Sequence, residues 1–298
     1  MTPFRPGRRA FLGAATLPLL AACTTPLPLG PRPPSDKSAA IRLQESAEAH
    51  GMATYRSLND VSVRYEGQWR PFIDRIQPDV VDAGFRGGSE DRIIPKQGIV
   101  AQGYTGPAGR KHVFWHRGPG TSGRTGEVDV WRNGQRTDDR ASREAAALVA
   151  EAYGLFLLGP MWIADRGLVG RSGGSGRVDG RACDIVDVWL EPGLGETPLD
   201  RVSVYVDRSD DVARRFRFTL EGTENTRGAV AEVDTFDHAR RDGILWPMRS
   251  YERVVHPLRL PAHEWHVTGL DINRGFDAAD LRGPTFEGRA AAPARALS

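Results

Sequence analysis

From residue 181 onward, apolar and polar residues alternate along the chain with a period of two. Val202, Val204 and Val206 alternate with Ser203, Tyr205 and Asp207, and Phe216, Phe218 and Leu220 alternate with Arg215, Arg217 and Thr219. That period sends successive side chains to opposite faces of a strand, one face dry and one wet. The segments "CDIVDVWL", "DRVSVYVD", "ARRFRFTLEG", "GAVAEVDTF", "GILWPMRSYERVV" and "EWHVTGLDIN" all read as strands. Their turns are short, which predicts an antiparallel meander, because parallel pairs need long crossovers. Earlier strands are predicted in "NDVSVRYEGQW", in "GIVAQGYTGPAGRKHVFWH" with a turn at Gly106-Pro107-Ala108-Gly109, and in "GEVDVWRNGQR" running into Asn133-Gly134. Residues 71 to 98, with Pro71, Pro78, Gly84, Gly87, Gly88 and Pro95, predict irregular structure.

Two segments carry the helical period instead. "SDKSAAIRLQESAEAHG" is capped by Ser35 or Asp36, ends at Gly51, and shows a thin apolar stripe of Ala40, Ile41, Leu43 and Ala47. "DDRASREAAALVAEAYGLFLLGP" is the stronger helix, capped by Asp138 or Asp139 and spanning Asp139 to Leu158. Ala141, Ala145, Leu148, Val149, Ala152, Leu155 and Phe156 recur at its spacing, and Gly159-Pro160 is predicted to end it. At about five turns it is marginal alone and must pack its stripe on the sheet.

The start of the chain follows neither pattern. Arg5, Arg8 and Arg9 precede an uncharged apolar run from Ala10 to Ala22, which is shorter than the about 20 residues a membrane-spanning helix needs. Basic head, apolar run and small residues describe an export signal. Leu20-Ala21-Ala22-Cys23 resembles the lipobox of bacterial lipoproteins. The resemblance implies that the Cys23 thiol receives a diacylglycerol, that residues 1–22 are removed, and that further acylation, such as palmitate, completes a membrane anchor. Arg8-Arg9-Ala10-Phe11-Leu12 resembles the twin-arginine export motif, the alternative being a general-secretion signal. Thr24 after the cysteine, by resemblance to lipoprotein sorting rules, implies a periplasm-facing protein of the outer membrane. "TTPLPLGPRPPSD" then reads as an extended tether over residues 23–36, able to hold the domain up to about 40 Å from the lipid.

Composition is that of a globular protein, with 40% hydrophobic and 26% charged residues in 298. The formal charge of +2 falls to about −1 without the three signal arginines, which excludes the basic excess of a nucleic-acid binder. Of the two cysteines, acylation of Cys23 leaves Cys183 without a partner, so no intramolecular disulfide is expected and stability must come from a core. Residues 37–285 are expected to form a single domain and residues 286–298 a disordered tail.

The order of these elements, early helix, strands, central helix, then a meander containing "RRDGILWPMR", resembles the bacterial Lol-type lipoprotein-carrier and receptor family and related lipoprotein-sorting-type domains. Asp242-Gly243 with Trp246-Pro247, "YVDRSDDVARRFRF" and "VTGLDINRGFD" resemble that family's turn and paired strands. The resemblance covers roughly residues 100 to 282 and, less specifically, the chain from residue 36. It implies an α+β fold, a strongly curved antiparallel sheet (an unclosed β-barrel) with helices on its concave side and acyl chains bound between them. The central helix would face Phe216, Phe218, Leu220, Trp246 and Trp265, leaving a candidate ligand cavity lined by these and by Leu148, Val149, Leu155 and Phe156. A helix that simply fills the sheet is the alternative.

Other constellations are weak. His112 and His116 share a strand face but sit about 13 Å apart, and His263 and His266, with Glu264 between, fall on opposite faces. "GRSGGSGRVDG" lacks the strand-then-helix context of a phosphate loop and reads as a flexible loop. Asp207 to Asp211 is a solvated turn rather than a calcium loop, Cys183 a buried strand residue, and "GTSGR" around Ser122 has the wrong frame for a nucleophile elbow. No catalytic residue, metal or cofactor is assigned. The sequence thus favours a lipid-anchored envelope protein that binds or carries an apolar ligand, a lipid or a lipoprotein acyl chain. Alternatives are an envelope hydrolase and a structural or assembly partner.

Overall fold

Two meanders build one sheet. In the computed structural model, which describes residues 25–118, 126–167 and 170–286, the first runs through β1 (Val61–Trp69), β2 (Gly88–Ile94), β3 (Ile99–Gly106), β4 (Gly109–Arg117), β5 (Gly126–Arg132) and β6 (Gln135–Arg136). The second runs through β7 (Gly170–Val178), β8 (Arg181–Leu190), β9 (Asp200–Asp207), β10 (Ala213–Leu220), β11 (Ala229–Phe236), β14 (Arg249–His256) and β15 (Leu260–Ile272). All pairings are antiparallel, and β1 pairs with β15, so the two meanders join into 13 strands in the order β6-β5-β4-β3-β2-β1-β15-β14-β11-β10-β9-β8-β7. The outer edges β6 and β7 do not pair. The curved sheet is therefore an unclosed barrel, as the resemblance implied, and the helix connecting those two edges fills its concave side. Arg8, Arg9, Cys23, Ser122 and tail residues 287–298 lie outside the described residues.

That helix, α5 (Arg140–Asp165), is capped by Asp139, which accepts from the Ser142 amide at 2.9 Å. It does not end at Gly159-Pro160. Gly159 adopts φ 51, ψ −131, a conformation open to glycine, and Pro160 opens a second helical stretch whose first N–H would have no partner anyway. The helix is long and apolar enough to cross a membrane, but its apolar stretch is wholly buried inside the sheet. α1 (Lys37–His50) has the predicted ends, with Asp36 as N-cap and Gly51 as C-cap at φ 104. Short helices α2 (Met52–Ser57), α3 (Pro71–Ile76), α4 (Pro78–Val81) and α6 (Ala278–Leu281) complete the chain.

Four further expectations are corrected. Residues 71–98, expected to be irregular, contain α3, α4 and β2; β2 escaped notice because Ser89, Glu90, Asp91 and Arg92 put polar groups on both faces. "RSGGSGRV", expected to be a flexible loop, is edge strand β7, tied to α1 through Asp36, which accepts from the Ser172 amide at 3.1 Å. Trp246 is not on the large sheet. Asp242 (φ 50) and Gly243 (φ 79) close a tight hairpin of β12 (Ala239–Arg241) and β13 (Ile244–Trp246), and Pro247 separates it from β14. The tether is no free spacer over its described part. The Thr25 amide donates to Val255 O at 2.8 Å, Leu27 packs on Val230 and Val255, and Arg201 and Trp189 donate to the Pro28 and Leu29 carbonyls.

The wet face of the second meander is closed by ion pairs. Arg217 bonds Glu232 at 2.9 Å, and Arg253 bonds both Glu232 (2.6 Å) and Asp234 (2.9 Å), so long side chains roof the strands. On the first meander's outer face the C-terminal segment serves as a strap, with Leu281 packed on Ile94, Ile99, Ala101 and Phe114.

Candidate functional site

The concave face changes character across the sheet. One register row runs Val186, Val204, Phe216, Val233, Glu252, His263, Trp69 from β8 to β1. It is apolar through β11, then ionisable and aromatic. Neighbouring rows continue this, Val63-Asp91-Gln102-Val113 and Tyr65-Ser89-Tyr104-Lys111. Polar side chains in such rows face α5 and must find partners or pay the cost of desolvation.

Direct pairing in the sheet sets the aromatic geometry. Trp69 and His263 oppose each other and stack at 4.2 Å with ring planes 7° apart, and Trp265 stacks on the other side of His263 at 4.8 Å. Gly67 opposes Trp265, and a Cβ there would come within 2.6 Å of the Trp265 Cβ. From α5, the Tyr153 hydroxyl lies 3.2 Å from His263 Nδ1, and its ring meets Tyr65 edge-on at 5.4 Å.

Arg86 enters this wall from the connection before β2. Its Nε donates to Val81 O at 2.8 Å and its Nη2 to Val80 O at 3.0 Å, while the guanidinium lies 4.3 Å from the Tyr104 ring centre and 5.8 Å from that of Trp69. Among the described residues no carboxylate is within 4.0 Å of it. The Tyr104 hydroxyl, on a residue 2% exposed, and the Trp69 indole N–H both lack a hydrogen-bond partner. Tyr65, Trp69, Arg86, Tyr104, Tyr153 and His263 surround a cavity of about 30 Å³. A permanent cation and two unpartnered polar groups thus converge on one crevice.

Burial tunes the ionisable groups around it. Burial pushes the Glu252 carboxyl up to about 7, against the nearby charge of Arg86. Asp91 is likewise pushed up to about 7 by burial, although Gln102 bonds it at 2.9 Å. Burial, reinforced by Arg86, holds His263 well below the ordinary histidine value, so the ring is neutral. Beside the crevice, Asp82 bonds Lys111 (2.6 Å) and Arg132 (3.0 Å), tying the segment after α4 to β4 and β5.

The cavity residues expected from the sequence lie elsewhere in part. Leu148, Val149, Leu155, Phe156, Phe216, Phe218, Trp246 and Trp265 belong to one buried apolar cluster, and Leu220 packs against it partly exposed. Phe156 sits 5.3 Å from Phe218 and 5.8 Å from Trp265. Of the set, Trp265 also lines the crevice. Sequence reasoning missed Tyr65, Trp69, Arg86, Asp91, Tyr104, Tyr153 and Glu252. Asp91 and Glu252 carry a readable signal, charged residues at inward strand positions, but only once the register is known. His263 points inward and His266 outward, 3.9 Å from Glu66. Cys183 is fully buried, and burial raises its thiol. Asp207 and Asp210 pair with Arg214. Among the described residues no group of three or more His, Cys, Asp or Glu could hold a metal ion.

No family model matches the chain, and no curated protein matches it. Solved structures do. A DUF1329 family protein from Desulfovibrio piger aligns over 82% of this chain and 97% of its own, with a TM-score of 0.50 and 12% identity, and so shares the fold. A LolA superfamily protein from Nitrosomonas europaea aligns over 82% and 97%, with a TM-score of 0.44 and 10% identity. A putative outer membrane lipoprotein-sorting protein domain from Vibrio parahaemolyticus aligns over 82% and 96%, with a TM-score of 0.40 and 7% identity.

Proposed function

We propose that this chain is a lipid-anchored protein of the bacterial envelope that binds an acyl-chain ligand on the concave side of its sheet, with the ligand's acidic head at Arg86. The anchor is the acylated Cys23, the domain faces the periplasm, and Thr24 directs it to the outer membrane. One observation carries the ligand reading: Arg86, without a carboxylate partner, shares a cavity with the unpartnered Tyr104 hydroxyl and Trp69 N–H. Three donors around one gap suit an oxyanion, which would accept from all three. The flanking surface is right for a chain: Phe156, Phe218 and Trp265 continue from the crevice along α5.

As it stands the cavity has room for about one water molecule. Taking up a chain therefore requires the connection bearing α3 and α4 to move away from α5. The connection is held by the Asp82 pairs with Lys111 and Arg132, by the Gln77 bond to Asn225 O, and by apolar packing of Ile73 and Val81 on Ala262, and its movement works against both kinds of contact. The test is titration with a fatty acid carrying a fluorescent tail group. The proposal expects saturable binding of one ligand per chain. A folded protein with no saturable binding rejects it and leaves the hydrolase and assembly-partner alternatives.

A further inference from the structure

Ile41, Phe72, Ile76 and Leu258 are the large apolar side chains left exposed among the described residues, at 50%, 51%, 42% and 47%. Three of them share one rim. Phe72 and Ile76 are on α3, which crosses the end of the sheet: the Arg70 amide bonds Ala262 O at 2.8 Å, Ile73 packs on Ala262 beside Val254 and Leu260, and Gln77 reaches Asn225 O at 2.9 Å. Leu258 is in the turn joining β14 to β15 at the same end. Arg75 is exposed beside them, as is Arg259, whose guanidinium also lies 3.8 Å from Glu232, with Asp74 half-buried on α3.

The start of the described chain comes to this rim too. Thr25 is bonded to Val255 and Leu27 packs on it, on the opposite face of β14 from α3. Cys23 is two residues upstream, a reach of about 7 Å from Thr25. We infer that this rim is the membrane-facing surface of the domain, with Phe72, Ile76 and Leu258 in the lipid interface and Arg75 and Arg259 among anionic headgroups. The inference rests on acylation of Cys23. A short leash to a bilayer holds the nearest surface against it, and apolar side chains ringed by arginine suit the boundary between headgroup and acyl chain. Trp69, which packs with α3 and also lines the crevice, places the ligand site beside the lipid.

The test uses the full acylated protein in vesicles of phosphatidylethanolamine and phosphatidylglycerol. Cys183 is buried, so F72C, L258C and I41C each offer one reactive thiol for an environment-sensitive dye. The inference expects the dye at 72 and 258 to shift blue and to be quenched by lipids brominated on their acyl chains, and the dye at 41, on α1, to stay in water. Water-like emission at 72 and 258, or equal quenching at 41, overturns it. Protein that does not float with the vesicles overturns the anchor and the rim together, whereas floating protein with unquenched dye overturns the rim alone.

Discussion

Replacing Glu252 by glutamine is expected to stabilise the protein more at pH 8 than at pH 5. The folded carboxyl titrates at about 7, because burial favours its neutral form, whereas the unfolded chain has the ordinary 4.5. Between those values the unfolded state has lost the proton and the folded state still holds it, so stability falls as pH rises through that window and levels off above it. A raised carboxyl pKa thus has its stability fully present below about 4.5 and lost by about 7. Integrating from pH 5 to pH 8 gives a loss on the order of 2 to 3 kcal/mol from this group. Glutamine does not titrate and is spared that loss, while any constant effect of the amide cancels between the two pH values. For a chain of this size, that loss corresponds to about 5 to 10 °C in Tm. The assay is thermal unfolding of wild type and E252Q at both pH values. Asp91, also raised to about 7, titrates in the same window but is common to both proteins. An equal change in Tm at pH 5 and pH 8 would refute the assignment of Glu252 to the inner wall.

Further outcomes follow from the anchor and the core. The C23S variant should keep its signal uncut by the lipoprotein peptidase and leave the membrane fraction, and normal processing with membrane retention would contradict the lipobox reading. F156A should cost about 3 to 5 kcal/mol in urea unfolding, because Phe156 is packed among Tyr153, Phe218 and Trp265. A loss under about 1 kcal/mol would show that this part of the core is loosely filled.

Much of the fold was legible because alternation in β9 and β10 and helical spacing in α5 are local signals that burial enforces. Asp36, Gly51 and Asp139 marked helix ends for the same reason, since caps answer unpaired backbone groups. β2 and β7 were not legible. Asp91 and Ser89 face inward on β2, and β7 is an edge rich in glycine and serine whose middle stays exposed, so neither shows an apolar period. The crevice was hidden further. It is assembled by the pairing of the first strand with the last, which brings Trp69 against His263 across 194 positions of sequence, far beyond the reach of any local pattern. Arg86 comes from a connection with no period at all, and only its position over Tyr104 gives it meaning.

The central claim is that an acid-headed chain occupies the Arg86 crevice. It is tested most directly by titrating the wild-type protein with a fluorescent fatty acid and, in parallel, with the methyl ester of the same molecule. The two share their apolar surface and differ in the charge that Arg86 would pair with, so their affinities separate chain burial from head recognition. The account predicts saturable binding of the acid at one per chain and binding of the ester weaker by at least about tenfold, the loss of one charge-assisted contact. Equal affinity for acid and ester, or no saturable binding of either, would contradict it.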